Sequence, residues 1–148
     1  MFSRTARRLL FSLALALLAA STSITNAASG GSADVRVHYL EIVSKDVAAQ
    51  CAVLEQTHGL SFGPEHADLG GARVAERPDG TLVGVRAPLA EHDTPITRSY
   101  FAVDDIAAAV AAAEAAGAMI AYGPIQQGDT GTWAIYFLGD AQIGLWQP

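Results

Sequence analysis

The clearest alternation in the chain runs over Val35–Ser44 (VRVHYLEIVS), where β-branched and aromatic residues are spaced for a strand. On such a strand Tyr39, Glu41 and Val43 share one face, while His38, Leu40 and Ile42 share the other. Asp46 then suits an N-cap, Val47–His58 has the spacing of a helix, and Gly59 stands where that helix should stop. The same succession returns further along. Ile96–Val103 (ITRSYFAV) reads as a strand, Asp105 as a cap, Ile106–Ala116 as an alanine-rich helix and Gly117 as its end. The capping aspartates are 59 residues apart and the stop glycines 58, and Gly63-Pro64 recurs as Gly123-Pro124 at 60. Two short strands follow each helix: Ala72–Ala75 and Leu82–Arg86 first, then Thr132–Phe137 and Gln142–Trp146. Arg77-Pro78-Asp79-Gly80 and Gly139-Asp140 supply the intervening turns. A half with one helix cannot cover both faces of its own sheet, so this repeat predicts an α+β fold in which the halves pair.

The N-terminus has a different pattern. Arg4, Arg7 and Arg8 precede a twelve-residue run, Leu9–Ala20, that is apolar except for Ser12, and small and polar residues follow up to Ala27. A membrane-spanning helix needs about 20 apolar residues. Residues 1–27 therefore read as a secretory signal peptide, with Thr25 and Ala27 spaced for cleavage and an uncleaved anchor as the alternative. ASGGSAD (28–34) reads as a flexible lead-in. The remainder, 35–148, is expected to be a single domain with one module over 35–90 and a second over 96–147.

The whole chain has 148 residues and a net charge of −6; without Arg4, Arg7 and Arg8 it has six basic residues against fifteen acidic ones, a net of −9. This acidity, with no basic cluster after residue 8, argues against a nucleic-acid partner. A lone cysteine excludes an internal disulfide framework, and Cys51 reads as a small core residue at helical spacing with Val47 and Leu54. No serine-elbow motif, phosphate loop or cysteine–histidine pair is present to suggest a nucleophilic hydrolase.

SYFAVDDIAAAVAAAEAAGAMI and YGPIQQGDTGTWAIYFLGDAQIGLWQP resemble the second module of a vicinal-oxygen-chelate protein. This is the glyoxalase, bleomycin-resistance and extradiol-dioxygenase superfamily. VHYLEIVSKDVAAQCAVLEQTHGLSFG resembles its first module, so the resemblance covers residues 35–147. It implies two tandem βαβββ modules forming a curved mixed sheet around one cleft, and a homodimer as the default assembly. Metal-dependent members draw ligands from the first and last strands of each module. The resemblance places those slots at Tyr39, Gly84, Arg98 and Gly144. Glycine offers no donor atom and arginine is a permanent cation, so no metal is expected there and no cofactor is implied. A divalent ion held by Glu41 with His66 or His92 is the alternative.

The cleft-facing positions then carry Tyr39, Glu41, Arg86, Arg98, Tyr100 and Trp146. Glu41 interrupts an apolar strand and is expensive to bury unpaired. It reads either as a general base or as the partner of an Arg98 salt bridge. Arg86 and Arg98 suit an anionic group on a ligand, Arg86 having surface charge as its alternative. Tyr39, Tyr100 and Trp146 suit an aromatic one. Gly84 and Gly144 are expected to leave space for that ligand, and Trp133 is assigned to the core. The chain is thus expected to be an exported protein that binds a small anionic or aromatic molecule, with no membrane partner once the leader is removed. The alternatives are a metal-dependent glyoxalase- or dioxygenase-type enzyme and a metal-free isomerase or lyase using Glu41.

Overall fold

A computed structural model describes residues 35–148; the leader and lead-in expectations lie outside the described residues. Eight strands and two helices follow in the order β1 (Val37–Val43), α1 (Val47–His58), β2 (Glu65–His66), β3 (Ala72–Glu76), β4 (Leu82–Arg86), β5 (Ile96–Ala102), α2 (Ile106–Ala115), β6 (Met119–Gln126), β7 (Thr132–Leu138) and β8 (Ala141–Gln147). A single 3₁₀ turn, Ala67–Leu69, joins β2 to β3.

Both helices start as their sequences require. Asp46 accepts a hydrogen bond from the Ala49 amide and Asp105 one from the Ala108 amide, each at 3.0 Å, satisfying a donor that a helix start leaves free. Gly59 ends α1 in the left-handed region at φ 65°, where a side chain would be strained. Helix α2 ends one residue earlier than expected, with Ala116 as its cap.

All eight strands form one mixed sheet in the order β2-β3-β4-β1-β5-β8-β7-β6. The first strands of the two halves meet at its centre, antiparallel, and each is flanked by the last strand of its own half in parallel. Leu40 pairs with Ser99 in that central register, Tyr39 with Tyr100 and Glu41 with Arg98. A shift of 59 residues carries Tyr39 onto Arg98 and Glu41 onto Tyr100. The sequence repeat is thus a pseudo-twofold axis through the β1/β5 pair. The outer strands obey it too: Glu65 pairs with Arg73 and His66 with Ala72 at one edge, Ile125 with Trp133 and Gln126 with Thr132 at the other.

Each helix covers its own half. Cys51, Phe62, Ala75, Val83 and Val85 form the core under α1, and Ile106, Ala134 and Leu145 the smaller one under α2. Cys51 is 1% exposed, as a packing residue should be, and burial pushes its thiol above the ordinary value. The opposite side of the central strands carries a third cluster, Tyr39, Tyr100, Ile135 and Trp146. No helix among the described residues is long and apolar enough to cross a membrane.

Strands β2 and β6 were not located by sequence pattern. β2 has two residues, both exposed. β6 is an edge strand with two register shifts and a proline in it, so it shows no alternation of buried and exposed positions.

Candidate ligand-binding site

The central strands β1, β5, β4 and β8 bring Tyr39, Glu41, Arg86, Arg98, Tyr100 and Trp146 onto the wall of one cavity of about 540 Å³. Glu41 is the hub. It is 6% exposed, and both carboxylate oxygens are engaged: Arg86 Nε donates to Oε1 at 2.7 Å and Arg98 Nη1 to Oε2. Tyr100 Oη donates to Oε2 at 3.2 Å. The cross-strand register makes the Glu41–Arg98 pair, and Arg86 reaches the same carboxylate from the far end of β4. Of the two readings of Glu41, the salt bridge is present, with a second arginine that the sequence did not couple to it.

The arginines are held from behind as well. Arg86 Nη1 donates to Asp93 Oδ2 at 2.5 Å and to the Ala87 carbonyl at 3.0 Å. Arg98 donates through Nη2 and Nε to Gln142 Oε1, at 2.6 and 3.2 Å. Asp93 sits in the segment joining the two halves. Burial opposes its charge, but the Arg86 hydrogen bond and the Leu89 amide outweigh that and hold its carboxyl below the ordinary carboxylate value. Arg86 is buried, not surface charge. Two guanidinium groups therefore face two carboxylates, and the floor of the cavity is neutral. An open anion clamp, expected from Arg86 and Arg98, is not what the fold builds.

The glycine slots differ from expectation as well. A Cβ built on Gly84 would overlap the Tyr39 hydroxyl, and one on Gly144 would overlap the Tyr100 ring. The space next to these glycines is filled by the protein's own phenols. Burial first, and the Glu41 carboxylate second, raise both phenols well above their ordinary range, so both are neutral hydroxyls near pH 7. Tyr39, Tyr100 and Trp146 pack with ring centroids 5.6 Å apart in each pair.

Trp133 packs against the aromatic cluster, as a core residue does, and lines the cavity as well, while His38 departs from its strand pattern. Trp133, assigned to the core, lines the cavity and packs edge-on to Tyr100 at 6.3 Å. Its Nε1 donates to Gln127 Oε1 at 2.5 Å, and the Gln127 amide in turn donates to the Asp68 carbonyl across the cleft. His38 was placed with Leu40 and Ile42, away from Tyr39. A register shift between Val37 and Tyr39 breaks the alternation, and the His38 ring lies 5.5 Å from Trp146. Burial, then Arg36, lowers the His38 value below the usual imidazole range. Only the shape of the fold could reveal either placement.

The donor set does not suit a divalent ion. At the slots implied by the resemblance stand a buried phenol, an arginine already bound to Glu41 and two glycines covered by tyrosines. His92 lines the cavity and His66 does not, while Glu41, the carboxylate they would need, has both oxygens bound to guanidinium. Among the described residues no group of three or more His, Cys, Asp or Glu side chains is placed to hold an ion.

Solved structures share this arrangement of strands. A hypothetical protein from Bacillus halodurans superposes with a TM-score of 0.63 at 11% identity, over 78% of this chain and 95% of that one. Methylmalonyl-CoA epimerase from Mycobacterium tuberculosis gives 0.60 at 18% identity, over 76% of this chain and 87% of that one. A variant of the Streptomyces coelicolor methylmalonyl-CoA epimerase, in complex with 2-nitronate-propionyl-CoA, gives 0.52 at 17%, over 74% and 94%.

The chain has the vicinal-oxygen-chelate fold.

Its sequence alone finds no such company: no family model matches it, and no curated protein matches it. Identities this low establish the fold, and function has to be argued from the site.

Proposed function

We propose that this vicinal-oxygen-chelate-fold protein is exported and binds a small aromatic molecule in its cavity without a metal. The observation that carries the reading is the ion-paired floor beneath aromatic walls. Glu41, Arg86, Arg98 and Asp93 satisfy one another, while Tyr100, Trp133, Phe137 and Trp146 present ring surface to a cavity large enough for a small ligand. The anionic half of the expectation loses support from the same geometry, since neither guanidinium charge is free. Acid–base chemistry at Glu41 loses support too, because using the carboxylate would mean breaking its bonds to both arginines. Export rests on the Arg4–Arg8 segment and the Leu9–Ala20 run.

The test begins with the chain recovered from outside the cytoplasm of an expressing bacterium, its start read by intact mass. Planar aromatic compounds are then screened by thermal shift. Saturable stabilisation by members of the panel, reduced at least tenfold in affinity by Trp133→Ala, is the expected result. A panel without any stabilising compound overturns the binding reading. Recovery only from the cytoplasm with residues 1–27 retained overturns export.

A further inference from the structure

Most polar atoms on the cavity wall already have a partner inside the protein. Both oxygens of Glu41 and one of Asp93 accept from arginines, Tyr100 Oη donates to Glu41, and both ends of the Gln127 amide are used. The Trp133 and Trp146 indoles donate to Gln127 and to the Thr130 carbonyl. Tyr39 Oη is closed off against Gly84, out of reach of the cavity. Asp68, His92, Thr94 and Tyr122 line the cavity too, but they are exposed residues whose polar groups water can solvate.

Gln142 is the exception. It is half-buried on the cavity face of β8, and its Oε1 accepts from Arg98 Nε at 3.2 Å and Nη2 at 2.6 Å. A guanidinium group carries only donors, so the atom turned to it has to be the amide oxygen. The Nε2 amino group is thereby fixed on the side away from Arg98. It has no hydrogen-bond partner among the described residues, yet it is not sealed: the enclosed, unpartnered side-chain atoms among them are His38 Nδ1 and Tyr39 Oη. Arg86 Nη2 is in the same condition, since Arg86 bonds through Nε and Nη1 alone. Two open donors thus stand beside the ion pairs.

We infer that Gln142 is the specificity residue of this cavity: its Nε2 donates to a hydrogen-bond acceptor, such as a carbonyl oxygen, on the aromatic ligand. The inference rests on the aromatic-ligand reading above and adds the contact that selects among such ligands. A half-buried donor loses its hydrogen bond to water when an apolar group covers it, so a ligand without an acceptor is penalised. Arg98 enforces the selection, because turning the amide over would set its amino group against a guanidinium.

Two probes of one shape test it by calorimetry at pH 7.5: 2-acetylnaphthalene, which carries an acceptor, and 2-isopropylnaphthalene, which does not. The ketone should bind wild type at least about fivefold more tightly, the worth of one net hydrogen bond. Gln142→Glu keeps an acceptor for Arg98 and replaces the donor by a carboxylate oxygen. There the ketone advantage should vanish, while binding of the isopropyl compound stays unchanged. In proton–nitrogen NMR spectra of wild type, the Gln142 side-chain amide should shift with the ketone and not with the isopropyl compound, a readout independent of the variant's folding. Equal binding of the two probes by wild type, a ketone advantage that survives in Gln142→Glu, or an unmoved Gln142 amide overturns the inference and leaves the aromatic site standing. Failure of both probes to bind removes the site itself and the inference with it.

Discussion

Glu41 determines what the floor of the cavity is. A carboxylate with 8% of its side chain exposed is tolerable only because two guanidinium groups meet it, and those groups equally depend on it. Glu41→Gln keeps the shape and removes the charge, leaving Arg98 and Arg86 with one carboxylate between them. The expected loss is about 3–5 kcal/mol of unfolding free energy, the range for breaking one partner out of a buried pair. Urea denaturation measures it, and a loss below about 1 kcal/mol would contradict the role of Glu41 as the neutralising anion. The energetics also explain why such a cluster is no simple stabiliser. Apolar residues of similar volume often serve stability as well or better, so the presence of the cluster is not by itself a source of net stability.

At the level of elements, two glycines let aromatic side chains close over the strands beside them. Gly144 lies opposite Tyr100 in the β5/β8 pair, and Gly84 opposite Glu41 in the β1/β4 pair. Each lets a phenol lie flat over the neighbouring strand, which is how the aromatic cluster sits directly on the sheet. Gly144→Ala should therefore push the Tyr100 ring away and cost about 1–3 kcal/mol, the range for overpacking. Thermal denaturation gives the loss, and retention of wild-type Tm would mean that the ring moves aside freely. The helices and the strands β1, β3, β4, β5, β7 and β8 were readable in advance, because capping aspartates, stop glycines and β-branched runs are local signals. β2 and β6 carry no such signal; they exist because a neighbouring strand offers them hydrogen bonds.

For the whole molecule, the joining segment matters as much as the symmetry. Asp93 lies between β4 and β5 and ties that segment to Arg86, with the Leu89 amide donating to the same carboxylate oxygen at 3.0 Å. Its carboxyl is held below the ordinary value of 3.8 in the folded state. A depressed folded value means that the unfolded chain takes up the proton first. The contribution is thus complete above about pH 4 and is lost as pH falls through the folded value. Asp93→Asn should lower stability by about 1–2 kcal/mol at pH 7, with the gap closing below about pH 4. Unfolding free energies at pH 7 and pH 3 decide it: an undiminished gap at pH 3 would show that the ion pair is not its source.

The candidate site was partly legible for the same reason as the fold. Alternation along β1, β5, β4 and β8 puts Tyr39, Glu41, Arg86, Arg98, Tyr100 and Trp146 on one side, and all six line the cavity. Period-two geometry is a property of each strand alone, so the sequence is sufficient for it. It is also sufficient for the repeat and the caps. Which charges meet is another matter. That Arg86 and Arg98 both close on Glu41, that Asp93 returns from the joining segment to balance the second arginine, and that tyrosines cover the glycines all follow from register and strand order. So do the turn of His38 toward Trp146 and the exposure of Trp133 to the cavity. These arrangements pair residues up to 108 positions apart, His38 and Trp146 being the most distant, and no pattern along the chain ranks one such pairing above another. The choice rests on burial: a charge removed from water takes whichever opposite charge the folded backbone brings within hydrogen-bonding distance.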